Sequence, residues 1–476
     1  MADLLDRAGC LIDGDWFVPA GPVIEVIDPF TETVMGEVVD AGSDVVDDAV
    51  RSAAAAHPEW RRTDVTDRAE LLDRAADLLT RDGPAIAALV SREMGMPISL
   101  AEVTQAQLPA DVLRATARTA RVFPWSQDID GATLVRRGSG VVGAITPWNM
   151  PVHQIVAKVS AALAAGSTVV LKASEMTPYD ANALAQLFLE AGLPPGVFNV
   201  VTGTGAVTGA ALAAHLDLAH VSFTGSVAAG RAVAGLAAAT LTRCTLELGG
   251  KSPAVVLPDA DLHAALTGAV TSGLVNSGQA CNATTRLLIP AHLAADAVDI
   301  LEDAAAQQVL GDPADPRTRQ GPLVSARQRD RVLDHVADAV AAGGHLLTGT
   351  GKPSESCPTG YFVDPTIITG LPEDARAIRE EIFGPVLAVQ IYTDVDDAVR
   401  IANDCAYGLS AEVWSGDVER ARAVAGRLDV GQVKINGVRT RNRPTVPFGG
   451  VKDSGYGREL GHLGIEEFTD VTAVMS

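Results

Sequence analysis

The 476-residue sequence predicts an α/β protein organised around parallel sheet, and three features carry that expectation. From about residue 140, short β-branched runs alternate with helical segments, the pattern of repeated βα units that place helices on both faces of a sheet. Glycine or a polar residue closes most of these runs, as turn chemistry requires. The length exceeds what one hydrophobic core serves, so two or three domains are expected.

The elements follow in order. Short strands and turns open the chain, and helices come next. SDVVDDAVRSAAAAHPEW places Ser43 as an N-cap ahead of apolar residues at helical spacing. DRAELLDRAADLLTRDG sets Asp67 and Glu70 in capping-box spacing and is expected to stop at Gly83, before Pro84. TLVRR, residues 133–137, reads as a strand. Then GVVGAIT reads as a strand, VHQIVAKVSAALAAG as an amphipathic helix ended by Gly166, STVVLK as a strand and YDANALAQLFLEAG as a helix. VFNVVTG and HVSFTGS are strand-like, followed by the helices VTGAALAAH and VAAGRAVAGLAA respectively. Further along, SPAVVL, TRLLIP, PTIIT and PVLAVQIY read as strands and DDAVRIANDC as a helix. No internal repeat, low-complexity segment or long linker interrupts the chain.

With 47% hydrophobic and 20% charged residues the chain is a folded globular one, not a disordered one. A formal charge of −22 argues against nucleic acid or an anionic membrane as partner. MADLLDRAGCLIDGDW carries acids early and no uninterrupted apolar segment, so no secretory signal is expected. The most apolar window, IVAKVSAALAAGSTVVL, is broken by Lys158 and Gly166, and a membrane span is rejected. Cys10, Cys244, Cys281, Cys357 and Cys405 form no CxxC pair, which suggests reduced thiols in a cytoplasm. Lysines are few, so each one in an apolar context is informative.

Two glycine arrangements could cradle phosphate. Gly203, Gly205 and Gly209 form GxGxxxG, one residue off the dinucleotide fingerprint and weak alone. FTGSVAAG, from Phe223 to Gly230, ends a strand and opens a helix, so first-turn N–H groups could face a pyrophosphate beside Gly225 and Ser226. An ordinary strand–helix turn capped by serine fits equally well. In VVLKASE, Lys172 closes an apolar strand at the carboxyl edge where open α/β sheets bind ligands. Glu175 nearby could accept hydrogen bonds from a ribose and repel a 2′-phosphate, favouring NAD over NADP; a surface ion pair is the plainer reading. LGGKS ends like a Walker A motif but has Thr245 where the first glycine belongs, and Asn282-Ala-Thr is a sequon without meaning in an unsecreted chain.

VNSGQACNATTRLLIP, residues 275–290, holds one cysteine in a polar setting. Cys281 could be an apolar filler, as most free cysteines are. Around it, Asn276, Ser277, Gln279, Asn282, Thr284 and Thr285 offer donors that can support a thiolate. Glu247, in LELGGK, follows an apolar strand and could point into a cleft, and Asn149, in ITPWNMP, lies past another strand end between prolines. No GxSxG elbow, HExxH or zinc-ligand spacing occurs, which disfavours a serine hydrolase and a metal site. The nine histidines are dispersed; His153, near Asn149, could be a base, though packing explains it as well.

VNSGQACNATTR, LELGGK, FTGS, TPWNMP, LKASE, EEIFGPV and VPFGGVKDSGYGRELG resemble the signature blocks of the NAD(P)-dependent aldehyde dehydrogenase superfamily, in order and spacing, from about residue 12 to the C-terminus. The resemblance implies Cys281 as nucleophile, with the Asn149 amide and the Cys281 N–H holding the oxyanion. Glu247 would activate the water that hydrolyses a thioester. For the cofactor, NAD rather than NADP, it implies Lys172 and Glu175 at the adenosine ribose, Gly225 and Ser226 at the pyrophosphate, Glu381 at the nicotinamide ribose and Phe383 beside the ring. Thr146, Trp148, Gly205, Phe223 and Leu248 would complete that surface. Ala173 stands where the family usually has proline, a mild departure.

The resemblance also implies a Rossmann-type nucleotide-binding domain (1–118 and 138–248), an α/β catalytic domain (249–450) and a small β oligomerisation arm (119–137 and 460–476). A homodimer or homotetramer would follow, with the strand EFTDVTAVM extending a neighbour's sheet. Met150, His153, Gln154, Ala157, Asn282 and Phe448 are expected near the substrate tunnel. Arg439, Arg441 and Arg443 would stand near its entrance, where they could recruit an aldehyde carrying a carboxylate or simply pair with acids at a subunit contact. A coenzyme A-acylating enzyme is disfavoured because Glu247 is present, and a non-enzymatic scaffold protein because Cys281, Glu247, Asn149, Lys172 and Glu381 are all retained.

Overall fold

The computed structural model describes residues 9–438 and 443–475. The strands read from residue 140 onward make the inner part of an eight-stranded sheet. In spatial order these are Phe198–Val201, Thr168–Lys172, Val141–Ile145, Leu218–Thr224 and Arg243–Glu247, all parallel. By chain position the order is third, second, first, fourth, fifth. The winding direction therefore reverses between Val141–Ile145 and Leu218–Thr224, and the crevice there, at the carboxyl ends, is where such sheets take ligands. Cys10–Ile12 and Asp15–Phe17 extend one edge antiparallel, and Gly455–Tyr456 the other.

Both faces of this sheet are covered. Along Val141–Ile145, Val142 and Ala144 pack into the core under helices Val65–Met94, Leu108–Val122 and Pro151–Ala165. Val141 and Ile145 enter the opposite core with helices Gly42–Trp60 and Val227–Ala238. Strands buried on both faces carry continuous apolar runs rather than alternation, which is why VVGAI and TVVL read as they do.

A second, seven-stranded sheet runs His345–Thr348, Thr366–Thr369, Val386–Tyr392, Thr284–Pro290, Ser252–Val256, Ser410–Trp414, Gln432–Ile435. All its neighbours are parallel except the first pair. A third sheet places Thr469–Met475 against Ala132–Gly138, which pairs in turn with Ser126–Ile129, all antiparallel.

Four local expectations are corrected. Ser43 does not cap its helix: the helix starts at Gly42, no side chain of the preceding residue caps it, and the Gly42 N–H donates to Thr208 Oγ1 at 3.1 Å, from a segment packed on the same face of the sheet. The next helix begins at Val65, capped by Asp64, which accepts from the Thr66 N–H at 2.7 Å, and not by Asp67 with Glu70. It also runs through Gly83 and Pro84 to Met94 and ends at Gly95, φ 79°. Proline inside a helix costs about 3 kcal/mol, but Leu79, Ile86, Ala87, Leu89 and Val90 on either side are all buried, and burial of a few such side chains outweighs that. Gly83 packs closely there, since a Cβ would meet Ala106 Cβ at 3.1 Å. Finally, VTGAALAAH is α-helical only over Ala210–Ala213, with a π-turn over Gly205–Gly209.

Candidate active site

The carboxyl ends of the first sheet and the amino ends of two strands of the second supply the groups singled out above. From the first come Thr146 and Asn149 past Val141–Ile145, Lys172 ending Thr168–Lys172, Gly225 past Leu218–Thr224, and Glu247 ending Arg243–Glu247. From the second come Cys281, ahead of Thr284–Pro290, and Glu381 and Phe383, ahead of Val386–Tyr392.

The loop carrying Cys281 is held in an unusual shape. Asn276 (φ 53°), Ser277 (φ 57°) and Gly278 (φ 72°) are consecutive left-handed residues, a costly arrangement for the first two. A Cβ at Gly278 would fall 1.9 Å from the Gly384 carbonyl oxygen. Hydrogen bonds hold the shape. Ser277 Oγ donates to the Gly321 carbonyl at 2.7 Å, and Gln279 Nε2 to the Asn276 carbonyl at 3.1 Å. The Val324 N–H donates to Gln279 Oε1 at 3.0 Å. Asn276 Nδ2 donates to the Asn149 carbonyl, and Asn149 Nδ2 to the Gln279 carbonyl, both at 3.0 Å. The thiol loop and the Asn149 loop are therefore laced together across the two sheets.

Burial pushes the Cys281 thiol up to about 12, and the charges of Glu381, Glu247 and Glu459 add to it. The polar flanks do not by themselves create a thiolate, which corrects the sequence reading: most of their donors are spent on backbone carbonyls. Glu247 is buried, and neither carboxyl oxygen has a hydrogen-bond partner among the described residues. Burial raises its pKa well above the carboxylate range, Glu459 raises it further, and Lys158 and Arg458 pull it back. Lys158 and Glu459 form a buried ion pair, and Lys158 Nζ also donates to Thr224 Oγ1 at 2.7 Å. The sequence reading missed this pair; its one trace was a lysine inside an apolar helix.

The nucleotide-facing candidates lie along the crevice. Lys172 Nζ sits 2.9 Å from Glu175 Oε2. Ser226 is the N-cap of Val227–Ala238, its hydroxyl accepting from the Ala229 N–H at 3.2 Å, and the Gly225 N–H donates to the Glu247 carbonyl at 3.1 Å. The N–H groups of Val227 and Ala228 then have no acceptor within the helix and face the crevice end. Gly225 has no room for a side chain, because a Cβ would lie 2.5 Å from the Phe223 ring, and Gly230 is likewise closed by Leu248. Thr146 Oγ1 is buried without a partner among the described residues, an orphan that a bound ligand would satisfy. Gly205 has open space around it.

Glu381 Oε1 accepts from the Gly250 N–H at 3.1 Å, and burial raises its carboxyl to about 7. Phe383 (φ 62°) meets Trp148 edge to face, ring centres 5.4 Å apart.

A pocket enclosing about 1190 Å³, mouth included, leads to the thiol. Met150, His153, Gln154, Asn282, Arg443 and Phe448 line it with Cys281. Ala157 is buried and does not line it. Arg439 and Arg441 lie outside the described residues. Burial lowers His153 to about 4, so its ring is neutral at physiological pH and is a poor base. Among the described residues, no group of three or more His, Cys, Asp or Glu is placed to hold a metal ion, and no helix is long and apolar enough to cross a membrane.

The model of the aldehyde dehydrogenase family matches residues 16–474. A 3-succinoylsemialdehyde-pyridine dehydrogenase from a Pseudomonas species is 44% identical over 467 residues, covering 98% of this chain and 97% of its own. Among solved structures, aldehyde dehydrogenase C of Pseudomonas syringae, a cysteine-to-alanine mutant in complex with NAD+ and octanal, superposes with a TM-score of 0.97 at 40% identity, covering 99% of this chain and 97% of that one. Betaine aldehyde dehydrogenase of Staphylococcus aureus, in complex with NAD+, gives 0.96 at 31% identity, covering 99% and 95%.

Proposed function

The chain belongs to the aldehyde dehydrogenase family, and from that premise we propose that it oxidises an aldehyde to the carboxylic acid with NAD+, through a thioester on Cys281. The observation that carries this reading is the mutual bracing of the Asn149 and Cys281 loops. It keeps an amide donor, a backbone N–H and a sulfur nucleophile in fixed relation, which is what addition to a carbonyl demands.

Cys281 Sγ attacks the aldehyde carbon while the oxygen accepts hydrogen bonds from Asn149 Nδ2 and the Cys281 N–H. Because burial holds the thiol protonated, a base must take its proton. Glu247 suits that task, since burial and Glu459 make its carboxylate unusually basic once ionised. Lys172 and Glu175 would hold the adenosine ribose, the start of Val227–Ala238 the pyrophosphate, and Glu381, Trp148 and Phe383 the nicotinamide end, with Thr146 Oγ1 satisfied on binding. When bound, NAD+ supplies a hydride acceptor. Glu247 first passes the thiol proton on to solvent; ionised again, it takes a proton from the water that attacks the thioester, and Cys281 leaves as thiolate, which Glu247 reprotonates. The bound NAD+ of two structural neighbours supports this choice of cofactor.

The same reading assigns residues 1–118 and 138–248 to the nucleotide, 249–450 to catalysis, and 119–137 with 460–476 to assembly. The strand Thr469–Met475 is an edge with Val471, Val474 and Met475 exposed, and pairing there with a second copy would give a homodimer or homotetramer, which sedimentation of the purified protein measures.

The test is a steady-state assay with aldehyde and NAD+, with and without coenzyme A. Turnover without coenzyme A, lost by at least ~10⁴-fold in Cys281→Ala, is expected by analogy with removal of other covalent nucleophiles. Strict dependence on coenzyme A, or normal turnover by Cys281→Ala, would overturn the reading.

A further inference from the structure

We propose that Lys434 and Arg443 form an anion subsite in the wall of the substrate pocket, and that the preferred aldehydes carry a carboxylate. This rests on the reading of the pocket as an aldehyde site and narrows the substrate class.

Lys434 lies on Gln432–Ile435, the last strand of the second sheet, and lines the same pocket as Cys281. Its in-register neighbour on Ser410–Trp414 is Glu412, and Lys434 Nζ sits 2.8 Å from Glu412 Oε1. Glu412 is 1% exposed and also accepts from Ser272 Oγ at 2.6 Å and Trp414 Nε1 at 3.3 Å. Desolvating an ion pair costs more than it returns unless the remaining donors and acceptors are met. The glutamate meets that condition. The lysine has three N–H donors, and Glu412 is its one partner among the described residues. The pair thus fixes an ammonium in the pocket wall with donors to spare.

Arg443 lines the same pocket, is exposed, and has no ion-pair partner among the described residues. Among the described residues, the one carboxylate in the lining is Glu459, which is held by Lys158. Lys434, paired with Glu412, therefore offers spare N–H donors to the cavity, and Arg443 adds a charge with no counter-ion among the described residues. Leu100, Leu108, Met150, Val275, Val446 and Phe448 supply apolar wall. An aldehyde group at Cys281, an apolar linker and a carboxylate at Lys434 and Arg443 match that distribution; a guanidinium at the mouth adds a planar, two-pronged contact. Ordinary alkanals would leave the ammonium donors unmet.

The experiment compares kcat/KM of the full-length protein with NAD+ for 4-oxobutanoate, 6-oxohexanoate and 8-oxooctanoate against butanal, hexanal and octanal. At one chain length at least, the acid should exceed its alkanal by ~30-fold, the scale of a charge-assisted contact. Lys434→Met should lower that acid-to-alkanal ratio ~10- to 30-fold, chiefly through KM, and Lys434→Arg should retain most of it. If Lys434→Met fails to fold because Glu412 is left unpaired, Arg443→Gln reads the same ratio at an exposed position, where a clear fall is expected. Preference for the alkanal at every length, or a ratio that survives both Lys434→Met and Arg443→Gln, overturns the subsite and leaves the proposed reaction standing. Failure to oxidise any aldehyde sinks both.

Discussion

On the first sheet, the groups that face the site stand at strand ends: Lys172 and Glu247 are the last residues of their strands, and Gly225 follows its strand directly. On the second sheet they stand ahead of strands, on loops: Cys281 before Thr284–Pro290, Glu381 and Phe383 before Val386–Tyr392. The strand ends inherit their positions from the parallel ladder, whose register runs unbroken from Val141–Ile145 into Thr168–Lys172. The loops have no ladder. Four non-glycine or glycine residues there adopt φ between 53° and 72°, and side-chain bonds to carbonyls hold them. Position is therefore nearly free at one edge and depends on individual amides at the other. Substitutions at the first edge should change chemistry alone; at the second, and on the residues that brace it, they should change chemistry and geometry together.

Asn149 tests that distinction most severely, because it belongs to the first edge and braces the second. Asn149→Ala removes the proposed oxyanion donor and one of the two bonds to the Gln279 carbonyl, leaving that from Asn276 Nδ2 at 3.3 Å. Loss of one such donor costs about 3–4 kcal/mol in acyl transfer, so kcat should fall ~10²- to 10³-fold. If bracing matters as well, alkylation of Cys281 by iodoacetamide should also change in rate. A fall in kcat with unaltered alkylation would assign Asn149 to oxyanion binding alone.

The next effect is a shift in pH dependence. In the proposed role of base Glu247 must be ionised to accept a proton, so turnover should rise with pH through its raised pKa. Glu459 raises that pKa and Lys158 lowers it. Glu459→Gln removes a negative neighbour and frees the Lys158 charge, both of which favour the carboxylate, so the acidic limb of the kcat profile should move to lower pH by about one unit. Lys158→Met should move it to higher pH. Stopped-flow or steady-state rates across pH 5–10 read both, and shifts in the same direction would show that Glu247 does not control the limb. Each variant unpairs a buried charge, with about 3–5 kcal/mol of destabilisation expected, so folding is checked alongside by thermal melting.

The same contrast explains what was legible in the sequence. Strand ends could be read because a β-branched run followed by glycine or a polar residue marks both the strand and its edge; Lys172, Gly225 and Glu247 were found that way. The thiol loop was recognisable by its residues but not by its shape, since left-handed Asn276 and Ser277 are held by partners as remote as Gly321 and Asn149. The same remoteness made the donors around Cys281 look free when most are spent. Ser43 misled for a related reason, its capping role being filled by Thr208 from elsewhere in the fold. Lys434 and Glu412 were invisible as a pair because only adjacency of two strands joins them. Yet Lys158, Lys172 and Lys434, three of the few lysines, are buried beside the groups of the candidate site, so a lysine on a strand or helix of mainly apolar residues was a useful pointer to it.

The smallest effect sharpens the comparison from the strand-end side. Lys172 Nζ is buried and pairs with Glu175 Oε2 at 2.9 Å, while the Glu175 side chain is 34% exposed at the crevice. Glu175→Gln keeps the shape and removes one negative charge. A 2′-phosphate would then meet no repulsion and would find Lys172 less neutralised. For charges ~4 Å apart near a surface the change is about 1–2 kcal/mol after solvent screening, so the NADP+ to NAD+ ratio of kcat/KM should rise ~5- to 30-fold. Because the ladder and not this pair sets the strand end, the melting temperature and the alkylation rate of Cys281 should stay at their wild-type values. An unaltered cofactor ratio would reduce Glu175 to a local partner of Lys172, whereas a changed alkylation rate would mean that the two edges are mechanically coupled through the crevice and that positions at the first edge are not set by the ladder alone.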